Sequence, residues 1–178
     1  MTKIHYITPF ALDKNIGKEY NARIEELPDD AWICLRDHDT LPLSPYFGAR
    51  VAELIENRGC YSLIGCMTNR LRSSHQLHGR LFSENTDIKY HMDISEERWL
   101  NFNTKIVPAQ SIAGMFMLFP KPLFNEVKFK ENSLRFDVQF CIDAAAKGYN
   151  IGIAQGIYLF HMYRLGSPNP YNDIKHLL

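Results

Sequence analysis

The sequence has no excess charge of either sign. Twenty Lys and Arg are balanced by twenty Asp and Glu, giving a formal net charge of zero. This excludes the sequence-wide basic footprint of a nucleic-acid binder and leaves only a local patch at Arg70, Arg72 and Arg80 to weigh. No apolar run approaches the roughly 18 residues of a membrane helix, so no membrane span is predicted. The opening stretch "MTKIHYITPF" is too short and too polar for a secretory signal. Cysteine is scarce. Its four copies, Cys34, Cys60, Cys66 and Cys141, lie in apolar contexts without CxxC spacing. That argues against a disulfide framework and predicts buried thiols in a reducing, cytoplasmic setting. Cys60 and Cys66 flank one apolar stretch, where packing is the commoner reason for cysteine than redox chemistry. Repeats and low-complexity tracts are absent, which excludes solenoids and linkers.

What is present is an ordinary globular composition, 46% apolar and 22% charged over 178 residues. It predicts one domain, 1–178, with a core of its own. Residues 3–8 alternate as a strand ended by Pro9. Ile16, Tyr20, Ile24 and Leu27 recur at helical spacing over 15–27, with Asn15 as N-cap. A strand at 31–36 completes a βαβ unit with parallel pairing. Further expectations are a helix at 44–57 capped by Ser44 and ended by Gly59, and a strand at 60–67. Residues 68–110 are polar and predict a short hairpin, loops and a helix from about Ser95 to Phe102. A strand at 112–119, a helix at 137–147 ended by Gly148 and two short strands within 149–163 follow. From Gly166 the tail reads as loop with a final helical turn. Alternating strands and helices predict a three-layer α/β/α domain with a mixed, mostly parallel central sheet.

The chemistry concentrates in "AWICLRDHDTLPLSPYF". An apolar strand runs directly into Asp37-His38-Asp39. Two carboxylates one residue apart at a strand's carboxyl end suit a hard divalent cation, which takes oxygen ligands and keeps positions for water or phosphate. Ligands of open α/β sheets bind at that end. A solvated polar turn would carry the same residues.

Several stretches together resemble family 2 glycosyltransferases of the GT-A fold. "WICLRDHDTLPLSPYFGARVAELI" resembles that family's strand, Asp-x-Asp motif and following helix. "NIGKEYNARIEEL" resembles its glycine-containing helix, with Gly17 and Asn21 matching and Tyr20 standing where Arg is common. "SIAGMFMLFPKPLF" resembles the strand lining the donor-sugar pocket, with Gly114 at the close-approach position. "LRFDVQFCIDAAAKGYNIGIAQGIYLFHMYR" resembles the Glu-Asp-x-Asp helix followed by a strand ending in His; Phe136 and Gln139 replace two of its acids. The resemblance runs from about Lys3 to Arg164. It implies a nucleotide/metal-binding half (1–67) with fewer βα units than usual, an acceptor/catalytic half (68–165) and a tail (166–178).

By resemblance, the activity is a metal-dependent, inverting transfer of a sugar from a nucleotide-diphosphate donor, UDP-sugar favoured, to a saccharide or other hydroxyl. Asp37 would hold the nucleotide, Asp39 and His161 a manganese or magnesium ion, and Asp137 would be the general base. Thr8, Pro9, Phe10, Gly17, Asn21, Gly114 and Arg164 complete the implied donor site, and Arg70, Arg72 and His75 are expected near the acceptor. Asp137 could equally serve as a first-turn acid favoured by the helix dipole. The alternative is a non-catalytic nucleotide-sugar or carbohydrate-binding module derived from a transferase. A phosphohydrolase using Asp37 would need a further Lys and a second acidic cluster at strand ends, and no convincing pair is found. His75, His78 and His91 could form a transition-metal site, although scattered loop histidines are commoner. Trp99 and Phe102 could be a sugar platform or core packing.

Overall fold

Residues 31–35 are all apolar, which suits a strand covered on both faces. The computed structural model, which describes residues 3–166, makes them the lead-in and body of the second of seven strands. The order is β1 (Ile4–Ile7), α1 (Ile16–Glu25), β2 (Trp32–Arg36), β3 (Thr40–Pro42), α2 (Phe47–Glu56) and β4 (Tyr61–Thr68). Two 3₁₀ turns, Ser74–Gln76 and His78–Arg80, lead to α3 (Ile88–Phe102) and β5 (Ile106–Pro108). Then come β6 (Phe116–Pro120), α4 (Lys121–Glu126), α5 (Phe136–Ala146) and β7 (Asn150–His161). Beyond Gly166, the expected tail lies outside the described residues.

The chain is an α/β protein with one mixed sheet, ordered β1-β2-β6-β4-β7-β3, with β5 also paired to β7. Alternate residues of its central strands supply two cores. Ile33, Leu35, Met117 and Phe119 pack with Tyr20 of α1, Phe124 of α4 and Phe140 of α5. Trp32, Cys34, Phe116 and Leu118 pack with Val51, Leu54 and Ile55 of α2. Helices thus cover both faces, as three layers require.

The expectation of a mostly parallel sheet is corrected. Only β1–β2 and β4–β7 pair in parallel, whereas β2–β6, β4–β6, β3–β7 and β5–β7 are antiparallel. Helical crossovers enforce parallel pairing. Here β3 follows β2 through a tight turn with no helix between them.

Other boundaries moved for local reasons. The strand expected at 112–119 begins only at Phe116, because Ala113 and Gly114 spend their N–H groups on the side chains of Gln76 and Asp137. The helix expected from Ser95 starts at Ile88, where Asp87 Oδ1 accepts from the Lys89 N–H at 2.9 Å. No hairpin forms among residues 68–110. The two strands expected within 149–163 are one strand, β7, with an irregularity. Its register on β4 moves from Cys66↔Ala154 to Met67↔Tyr158, leaving residues 155–157 without a β4 partner. This bulge is clamped. Arg98 of α3 donates to the carbonyl of Gln155 at 2.8 Å, and the Gln155 N–H donates to Lys105 O at 2.8 Å.

Helix α1 is tied to the segment before α5. Asn21 exchanges two 2.9 Å hydrogen bonds with the backbone of Phe129, replacing a strand partner. Asn15 both accepts from the Lys18 N–H, as an N-cap does, and pairs with Asn132. Between them, Gly17 lies so close that a Cβ would sit 2.5 Å from Lys130 O, so only glycine fits. At the other end of α1, the buried Lys121 ammonium donates to the carbonyls of Ile24 and Glu25, a favourable cation at a helix C-terminus. Cys34, Cys66 and Cys141 are buried thiols, but Cys60, expected buried, is exposed at the start of β4. Among the described residues no helix is long and apolar enough to cross a membrane.

Candidate functional site

The carboxyl end of β2 opens into a cleft of about 500 Å³. Asp37, Asp39, Gly114, Asp137 and His161 all line it, with Arg72, His75, Leu134, Arg135, Phe136 and Tyr163 around them.

A tight turn builds the acidic pair. The Asp37 N–H donates to Met115 O at the end of the β2–β6 ladder. Its carbonyl accepts from both the N–H and the hydroxyl of Thr40, the latter at 2.7 Å. The chain thereby reverses into β3, and Thr40 pairs with His161 at the end of β7. Asp37 and Asp39 face the cleft, while the intervening His38 is exposed.

His161 is held from three sides. Its N–H donates to Asn69 Oδ1 at 2.7 Å, and its ring lies 5.6 Å from that of Tyr163. Nδ1 lies 2.8 Å from the carbonyl of Arg70. A carbonyl can only accept, so Nδ1 carries the proton and Nε2 faces Asp39, 3.3 Å from Oδ1. Ligating histidines have this arrangement, one nitrogen anchored on a carbonyl and the other free for a cation. One ligand atom each from Asp37, Asp39 and His161 lie within 4.8 Å of one another. Two carboxylates fit a hard divalent cation, and the imidazole beside them favours manganese over magnesium.

The two acids differ in environment. Burial first, and the Asp39 charge second, raise the pKa of Asp37 above its ordinary value. The His161 imidazole beside it, at 3.3 Å, lowers that of Asp39. Below them, the Tyr20 phenol is pushed well above its usual pKa by burial, with the charges of Asp37 and Asp137 adding. A divalent cation would relieve the carboxylate repulsion that these shifts record.

Asp137, in the first turn of α5, faces the same cleft. Its Oδ1 accepts from the Val138 N–H at 2.8 Å and its Oδ2 from the Gly114 N–H at 2.9 Å. Each oxygen keeps a second acceptor position. A Cβ on Gly114 would lie 3.2 Å from both Asp137 Cβ and the Phe136 ring, so the glycine lets this loop close on the carboxylate.

The other residues implied by the resemblance lie apart. Gly17 and Asn21 are spent on packing against 129–131. Thr8, Pro9 and Phe10 do not line the cleft; Pro9 is buried and the other two are exposed. Arg164 is exposed, and its carbonyl accepts from Arg70 at 2.6 Å. Arg70, expected at the acceptor, is buried. Its guanidinium binds the carbonyls of Ser83, Tyr163 and Arg164 and packs on Phe82. Arg72 and His75 do line the cleft, Arg72 donating to the Tyr163 hydroxyl at 3.0 Å and His75 bridging Ser73 and Ser111.

The three histidines weighed as a metal site do not converge. His91 is buried between Tyr158 and the Asn85 carbonyl, and His78 contacts Arg98. Arg50 and Arg98 cover the rings of Trp99 and Phe102, so neither presents an open platform. Sequence reasoning did not single out Leu134, Arg135 and Tyr163; the last two stand within two positions of Asp137 and His161, the one signal available.

No family model matches the chain, and no curated protein matches it significantly.

Proposed function

We propose that this protein is a metal-dependent glycosyltransferase of the GT-A type. It would invert the anomeric carbon as it moves a sugar from a nucleotide diphosphate to a hydroxyl acceptor. The observation that carries this reading is the meeting of Asp37, Asp39 and His161 within 4.8 Å in one cleft with Asp137. These residues come from opposite ends of the sequence, and a merely solvated turn after β2 has no need of them together. The mixed sheet covered on both faces agrees with the same resemblance.

Asp39 and His161 would hold the cation, with Asp37 sharing it or accepting from a ribose hydroxyl. A divalent ion there supplies charge neutralisation for the departing diphosphate. Asp137, fixed by two backbone N–H groups, would take the proton of the acceptor hydroxyl as that oxygen attacks. Arg72 and Arg135 would offer guanidinium donors to phosphate or acceptor oxygens at the rim.

The binding-module alternative has one observation in its favour. Gln139, which stands where the resemblance expects an acid, spends its amide on Asp143 at 2.9 Å rather than on the cleft. Thermal-shift titration with uridine, guanosine and thymidine diphosphate sugars, with and without manganese, tests donor binding. Manganese-dependent stabilisation followed by sugar transfer to a saccharide acceptor supports the enzyme. Stabilisation without turnover supports the module. No stabilisation by any donor rejects both the enzyme and the nucleotide-sugar module.

A further inference from the structure

Exposed large apolar side chains gathered into one patch mark an interaction site, whereas scattered ones are ordinary. Three of them cluster on two joined loops. Phe10 is 72% exposed, Leu12 89% and Leu134 95%. Leu12 lies just before α1 and Leu134 just before α5. The loops are bound by the Asn15–Asn132 pair, at 3.0 and 2.9 Å, and by the contact of Gly17 with Lys130 O. They form a fixed ledge, and Leu134 and Arg135 continue it into the mouth of the cleft.

The ledge is basic in a protein whose net charge is zero. Lys14, Lys18, Lys130 and Arg135 are exposed, and none of them forms an ion pair among the described residues. Asp13 and Glu131 oppose them within the two loops, while Glu19 in the first turn of α1 is paired with Arg23 and Asp137 faces the cleft. Asp13 is exposed, with its Oδ1 accepting from the Asn15 N–H at 3.0 Å. Val127 and Phe129, in the same segment, face the core. Inward needs are therefore met by other residues, and the protruding side chains serve nothing inside the fold.

We infer that this ledge docks on an anionic lipid bilayer, with Phe10, Leu12 and Leu134 entering the headgroup–acyl boundary and the surrounding cations meeting lipid phosphates. Charge complementarity favours this occupant over a second copy of the chain. Protein interfaces deplete lysine and pack flat apolar surface, whereas single apolar tips ringed by Lys and Arg are the pattern of interfacial membrane binding. Docking would bring the cleft mouth, through Leu134 and Arg135, to the lipid surface. The inference stands without the transfer chemistry proposed above.

The test uses the full chain, without metal or nucleotide. Co-sedimentation is measured with vesicles of phosphatidylcholine and with vesicles containing about 30% phosphatidylglycerol, where binding should be roughly tenfold or more stronger. Leu12→Ser with Leu134→Ser removes exposed side chains only, so the melting temperature should hold while binding falls roughly tenfold. Lys14→Glu with Lys130→Glu should abolish the preference for anionic vesicles, as should high salt. The inference is overturned if the native chain sediments with neither vesicle, or if the double-leucine variant binds as well as the native chain. It is also overturned if velocity sedimentation shows a dimer that the leucine changes dissolve.

Discussion

Asp39 and His161 meet because Thr40, the residue after Asp39, is the β3 partner of His161, and because the Met162 N–H donates to Asp39 O at 2.8 Å. The short β3 is thus the device that carries the acidic turn onto the end of β7. The cluster is a product of strand pairing, and the cation binding proposed for it depends on two side chains far apart in sequence.

Removing either side chain should cost affinity without unfolding the protein. Asp39→Asn and His161→Gln are expected to weaken manganese binding at least about tenfold in calorimetric titration, in line with the sensitivity of metal centres even to outer partners. Unchanged affinity in both would remove the cluster as a cation site.

Without metal, Asp37 should be a burden. Its pKa is raised by burial and by Asp39, so the folded state binds this proton more tightly than the unfolded chain does. Stability from this group is therefore present at low pH and falls as pH rises past the ordinary carboxylate value of about 3.9. Asp37→Asn should raise the metal-free melting temperature at neutral pH by about 1–4 °C. The gain should shrink to nothing in acid and reverse once manganese stabilises the native chain. A variant less stable than the native protein in metal-free calorimetry at pH 7 would contradict this.

Asp137→Asn keeps the size of the side chain and one of its two backbone contacts, since its Oδ1 can accept but its Nδ2 cannot, and removes its basicity. Donor and manganese affinities should hold, while transfer falls by roughly 10²–10⁴. Equal turnover in a radiolabelled-sugar assay would assign the proton to another group.

Gly17→Ala and Asn21→Ala separate packing from ligand binding. The added methyl meets the backbone of Lys130, and the lost amide leaves the N–H and C=O of Phe129 without their partners. Each is expected to destabilise by about 1–3 kcal/mol in denaturant unfolding while manganese affinity is unchanged. Loss of cation or donor binding at native stability would instead make these residues part of the site.

The placement of the strand-end and helix-start residues was the most legible part of the sequence. Asp37 and Asp39 follow an unbroken apolar strand, Asp137 opens a helix and His161 closes a strand, and each sits at a boundary that composition marks. Elements whose meaning depends on distant partners were not legible. Thr40–Pro42 is too short and too proline-rich to read as a strand, and exists because β7 supplies its ladder. Lys121–Glu126 reads as the end of a strand, yet it turns helical as Lys121 reaches the end of α1. Arg70 looked like a free loop cation. Its acceptors include two carbonyls more than ninety positions away, which local sequence cannot show.

The unpaired residues 155–157 have a consequence for aim. Before them, Ile151 and Ile153 point into the core beneath α1 and α5; after them Tyr158 does, so odd and even positions exchange sides. An imidazole at position 161 is turned toward Asp39 by that exchange. Shortening the bulge by one residue would set that alternation against the ladders with β3 and β4, so that either the pairing or the aim of the ring must give.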